Sequence, residues 1–142
     1  MNSIELQIIT AERVVYSDSV EAVVAPGIEG ELGILPHHSA LMTNLKAGPL
    51  MIRKDGEESF FAVTGGFLEV MDNRVTILSD AAEHSQEIDE SRAQLAMERA
   101  SERLENREGN LDLERALAQL KRAQIRVAVS RLRKMRRANR GL

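Results

Sequence analysis

A β-rich half followed by a pair of helices is the fold this sequence predicts: mainly β, then α. Three observations carry it. All four aromatics (Tyr16, Phe60, Phe61, Phe67), all three prolines and seven of the nine glycines lie before Asp80. That stretch is filled by short runs of β-branched or alternating residues between turn dipeptides. Beyond it the apolar period lengthens from about two residues to about 3.6.

In order, the strand-like runs are Ser3 to Ile9, Val14 to Tyr16, Ser19 to Ala25, Pro49 to Arg53, Ser59 to Val63, Phe67 to Met71 and Arg74 to Leu78. Turn signals stand at Pro26-Gly27, Gly48-Pro49, Asp55-Gly56, Gly65-Gly66 and Asp72-Asn73, where glycine, proline, asparagine and aspartate each favour chain reversal. Many short, closely spaced strands predict an antiparallel sandwich or barrel. Downstream, Asp89 is a good N-cap for a helix to Asn106 that places Ala93, Met97, Ala100 and Leu104 on one face. Gly109-Asn110 breaks the pattern. A second helix is expected from Asp112 to Asn139, with Leu113, Ala116, Leu117, Leu120, Ala123, Val127 and Met135 on its apolar side. A short link between them predicts an antiparallel hairpin, and Ala93, Ala96, Ala100, Ala116 and Ala123 permit close approach. The composition changes near Asp80, giving a β domain at 1–83 and a helical domain at 84–142.

The chain has 142 residues and no cysteine. The first figure allows one ordinary domain or two very small ones. The second excludes a disulfide scaffold, a thiol nucleophile and cysteine-ligated metal sites, and suits a reducing compartment. No apolar stretch approaches the roughly 20 residues needed to cross a bilayer, and Met1 to Thr10 lack a signal core, so a soluble protein, or one that reaches a membrane only through partners, is expected.

A formal net charge of −3 conceals a gradient: residues 1–80 carry net −7, residues 81–114 net −6, and residues 115–142 net +10 with no acid. A basic arm of this kind meets something anionic. Arg115, Arg122, Arg126, Arg133, Arg137 and Arg140 fall within about a 60° arc at 100° per residue, opposite Leu113, Leu120 and Val127. The row is either a solvated outer face or a docking strip. Arg92, Arg99 and Arg103 align in the same way on the first helix. Guanidinium forks fit phosphate oxygens, whereas pairing of the first row with Glu98, Glu102 and Glu105 is the ordinary surface alternative.

Other motifs carry less. Gly27, Gly30 and Gly33 are spaced like a phosphate loop, but strand-like sequence and Pro36 follow and no Gly-Lys-Ser/Thr is present, so they are turn glycines. His37 and His38 are adjacent, point apart on a strand and have no third ligand placed by sequence. They are loop histidines rather than a catalytic pair. With no Ser/His/Asp constellation either, nothing in residues 1–80 argues for an enzyme. A nucleic-acid module on the basic helix is the alternative from another class, but no aromatic interleaves with Arg115 to Arg140 for stacking on bases.

The run Pro26-Gly27 to Gly33-Ile34-Leu35-Pro36-His37-His38, then Leu41, Leu45 to Gly48, and Phe61-Ala62-Val63 to Gly65-Gly66-Phe67-Leu68-Glu69-Val70, resembles the epsilon subunits of bacterial F-type ATP synthases over essentially the whole chain. The resemblance implies a flattened ten-stranded β-sandwich that docks on the gamma subunit and the c-ring, followed by an antiparallel two-helix hairpin. The hairpin would move between a compact state and an extended one that inserts among the alpha and beta subunits and inhibits ATP hydrolysis. It further implies a non-catalytic rotor subunit, peripheral at the cytoplasmic face of the cell membrane and attached only through the Fo complex. Ile88-Asp89-Glu90-Ser91-Arg92-Ala93 is similar to the family's Ile/Leu-Asp-x-x-Arg-Ala element, which holds ATP as a regulatory ligand in nucleotide-binding members. By position, Glu83, Arg99, Arg122 and Arg126 join Ile88, Asp89, Arg92 and Ala93 in that implied site. The resemblance does not fix a magnesium requirement. The tail Arg136 to Leu142 extends past the usual end of the family.

Overall fold

The computed structural model describes residues 2–105 and 113–140, the last five of these by backbone alone. The chain divides into two compact units, Met1–His84 and Ser85–Leu142.

The first unit contains eight strands among the described residues: β1 (Ile4–Ile9), β2 (Val14–Val20), β3 (Ala22–Gly27), β4 (Gly30–Ile34), β5 (Leu41–Lys54), β6 (Glu57–Met71), β7 (Arg74–Leu78) and β8 (Ala82–His84). They pair in the order β2-β1-β7-β6-β5-β3-β4, and β8 pairs with β6. Period-two alternation sends Ile4, Leu6 and Ile8 of β1 inward. These side chains share one buried cluster with Val23 and Ala25 of β3 and Ile34 of β4, although β1 and β3 are far apart in the pairing order. The sheet therefore folds over on itself, and its two layers enclose a core that also holds Leu50, Ile52, Phe61, Val63, Leu68 and Ile77. Phe61 is braced edge-on by Tyr16 and by the His84 ring, with centroids at 5.4 and 4.7 Å.

The strand count differs from the ten expected because β5 and β6, with 14 and 15 residues, each run through both layers. Gly48-Pro49 and Gly65-Gly66, read as turns, lie inside these strands, so Ser59 to Val63 and Phe67 to Met71 are one strand. Ser19 to Ala25 conversely spans two, and Gly33 sits within β4 rather than in a turn. A second difference is that β1 pairs with β7 in parallel. The whole of β2 to β6 supplies the long connection such a pair requires.

In the second unit a 3-10 turn (Ser85–Glu87) leads into α1 (Glu90–Glu105), and α2 (Leu113–Arg140) packs along α1. Arg131 of α2 meets Glu90 and Gln94, whereas Arg103 meets Gln119, so the helices run antiparallel. Ala93 and Ala100 of α1 and Ala123 and Val127 of α2 are buried as the 3.6-residue period predicts. Leu113, Leu117 and Met135, assigned to the apolar side, are instead exposed, while Ile125 and Val129 are buried. The last two flank one edge of the arginine row, and Arg126 and Arg133 within it are half-buried. That face is therefore only partly a solvated strip. The expected break at Gly109-Asn110 and the helix ends at Asn106 and Asp112 lie outside the described residues. So do the side chains of Arg137 and Arg140 and the end of the tail. Among the described residues no helix is long and apolar enough to cross a membrane.

Candidate functional site

The start of α1 is built on Asp89. Its Oδ1 accepts the Arg92 N–H at 3.2 Å and its carbonyl accepts the Ala93 N–H at 2.9 Å. The side-chain bond satisfies a helix donor that would otherwise lack a partner, and the carbonyl bond is the first of the helix ladder. Just upstream, the Ile88 N–H donates to the Ser85 carbonyl at 3.2 Å. The Ile88 side chain is only 3 % exposed and Ala93 is fully covered, so both pin the helix entry from beneath. Arg92 projects outward with 84 % of its side chain in solvent, its Nε 3.9 Å from Asp89 Oδ2.

Arg99 lies seven residues further along the same face of α1 and is exposed. On α2, Arg122 is exposed and Arg126 half-buried. The cross-helix contacts fix the register and put Arg99 level with Arg122, with Arg92 about one turn from the level of Arg126. Glu83 is half-buried on β8, paired with Ala62, in the first unit.

The ordinary alternative for the α1 arginines takes a different form from that expected. Arg92 approaches Asp89, Arg103 donates to Gln119 Oε1 at 3.4 Å, and Glu98 accepts from Gln94 Nε2 at 3.4 Å.

Sequence reasoning missed the cluster beside this helix start, where Glu90 meets Arg131 Nε at 3.4 Å and the Lys134 ammonium. The hydrogen bond from Lys134 is the main cause that holds the Glu90 carboxyl below its usual range, with Arg131 adding to it. The one-turn spacing of Arg131 and Lys134 was the available signal.

On the first unit, His37 and His38 lie in the loop between β4 and β5. The His37 N–H donates to Asn73 Oδ1 at 2.7 Å, and His38 Nδ1 donates to the Ser39 carbonyl at 2.7 Å. Gly27 and Gly30 close the β3–β4 hairpin. Also missed was a shallow apolar cleft on the outer sheet face, lined by Met42, Phe67, Leu68, Glu69, Thr76 and Leu78. Met42 and Phe67 there are 71 and 57 % exposed.

Residues 3–85 match the family described as the ATP synthase, Delta/Epsilon chain, beta-sandwich domain, and residues 86–131 match its long alpha-helix domain. An ATP synthase epsilon chain of Herpetosiphon aurantiacus is 48% identical over 133 residues, which are 94% of this chain and 98% of that one. One from Chloroflexus aggregans is 46% identical over 134 residues, 94% of this chain and 96% of that one. In fold, the chain is similar to one in the Euglena gracilis mitochondrial ATP synthase, with a TM-score of 0.76, 23% identity, and coverage of 90% of this chain and 81% of that chain. Family matches over both units, together with relatives near half identity along almost the full length, place the chain in the ATP synthase epsilon chain family.

Proposed function

We propose that this epsilon chain works as a non-catalytic rotor subunit whose β-sandwich couples the gamma subunit to the c-ring and whose helical hairpin regulates ATP hydrolysis in response to ATP. The complex holds it at the cytoplasmic face of the bacterial membrane. The sandwich half of the reading is supported by the exposed Met42, Phe67 and Leu78, an apolar patch of the kind that marks a protein-docking face.

The observation that carries the regulatory half is the pairing of a capped helix start at Asp89 with arginines that rise from both helices, Arg99 level with Arg122 and Arg92 about one turn from Arg126. Arg92, Arg99, Arg122 and Arg126 offer up to four positive charges to a triphosphate of similar and opposite charge. Asp89 sets the first turn and presents an acceptor to the base. Ile88 and Ala93, both covered, serve by fixing that turn, and Glu83 accepts from a ribose hydroxyl or an exocyclic amine. Through this site ATP stabilises the compact hairpin and withdraws it from inhibition, by an amount set by its differential affinity for the two states.

Calorimetric titration of the isolated chain with ATP, with and without magnesium, tests this. Binding is expected, and Arg92→Ala or Arg126→Ala is expected to weaken it by about ten- to a hundredfold, since a charge-assisted contact contributes about 1.5–3 kcal/mol. No heat at millimolar ATP in either condition removes the nucleotide site and leaves the family assignment standing.

A further inference from the structure

Glu90 stands in the first turn of α1 and reaches across to α2. Its carboxylate is shared between the Lys134 ammonium and Arg131 Nε, the latter at 3.4 Å. One turn along α1, Gln94 Oε1 accepts from Arg131 Nη2 at 3.1 Å. Two residues of α1 and two of α2 are thus linked in one chain of polar contacts.

Three features make this group more than an incidental surface pair. The Glu90 side chain is only 25 % exposed, so its charge is screened less than that of a freely solvated carboxylate. An acid in the first turn of α1 complements the dipole of that helix. The seam that the four residues lock is thin, because the buried α1 residues there, Ala93 and Ala100, have little apolar area to withdraw from water. Isolated exposed ion pairs contribute little, but a shared carboxylate with a bridging amide is a network.

We propose that Glu90, Gln94, Arg131 and Lys134 are a latch that holds α1 against α2 and sets how often the hairpin opens. Nothing in the latch requires a nucleotide, so it stands whether or not the hairpin binds ATP.

Hydrogen exchange of the α1 amides in the full chain, without nucleotide, reads the opening equilibrium directly. The sandwich amides serve as an internal reference. Glu90→Gln should accelerate α1 exchange about three- to tenfold, and Lys134→Gln should do so to a lesser degree. On the Glu90→Gln background, Lys134→Gln should add almost nothing, since its partner is already gone. Raising the salt to 1 M, where screening acts over about 3 Å, should bring the wild-type rate toward that of the Glu90→Gln protein and leave the latter nearly unchanged. Unchanged α1 exchange in Glu90→Gln, or strictly additive effects of the two substitutions, overturns the latch.

Discussion

Gly66 passes so close beneath Leu78 that a Cβ built on it would lie 1.9 Å from the Leu78 carbonyl oxygen. Its φ of +131° is also one that side chains rarely adopt. Both restrictions act where β6 pairs with β7, next to Phe67↔Leu78. Gly66→Ala should therefore destabilise the sandwich by more than about 3 kcal/mol in urea unfolding. Gly33 has ordinary φ and open space at the same position, so Gly33→Ala should stay within about 1 kcal/mol of the wild type.

Ser130 is fully buried in α2, and its hydroxyl has no hydrogen-bond partner among the described residues. An unsatisfied buried hydroxyl costs about 1–3 kcal/mol, whereas an apolar group of the same shape carries no such penalty. Ser130→Ala, which also has the better helix propensity, should stabilise the hairpin by about 1 kcal/mol, measured as slower α2 amide exchange.

Asp89 caps α1 through Arg92 N–H. Asp89→Ala should cost the helix about 1 kcal/mol, and Asp89→Ser, itself a good cap, should recover most of it. The first α1 turn is the place to look, by amide exchange. A fully stable turn in Asp89→Ala would show that packing of Ile88 and Ala93 alone holds the helix start.

Asp18 hydrogen-bonds the Lys54 ammonium across the sheet and accepts the Ser19 N–H, and these two bonds, in that order, hold its carboxyl below the usual value. The folded protein thus binds this proton less readily than the unfolded chain. The contribution is complete above the unfolded pKa and is lost as pH falls through the depressed folded one. Thermal melts should find Asp18→Asn less stable than the wild type near pH 7, with the difference shrinking as pH falls below about 4. A difference independent of pH would exclude the carboxylate as its source.

The turns that were legible in the sequence are those in which the backbone itself demands a residue type. Asp55-Gly56 and Asp72-Asn73 both have positive φ at their two central positions, the requirement of a tight hairpin turn. Gly48-Pro49 and Gly65-Gly66 look the same in one dimension but answer to tertiary neighbours. Pro49 has no N–H to give, and it lies where the β3–β5 ladder is interrupted, between Val24↔Met51 and Gly27↔Leu45. Gly48 admits Pro26, whose Cβ would be 3.0 Å from an added methyl. Neither fact is visible without the partner strand. At the hairpin, the Asp89 cap is local and was legible. The burial of Ile125 and Val129 beside the arginine row, and the choice of Arg131 by Glu90 rather than by a neighbour on its own helix, depend on packing that no single-helix period encodes.

The two long strands have a mechanical consequence. β5 and β6 keep one antiparallel register from Leu41↔Val70 to Lys54↔Glu57, and their hydrogen bonds lie across the strand direction. A load applied along the strands is therefore shared by the whole ladder in shear, rather than broken one rung at a time as in peeling. Two strands divided at Gly48 and Gly65 would give a hinge at each break. Undivided, they make the sandwich a stiff coupling, able to pass a twisting force from one end to the other with little loss in bending.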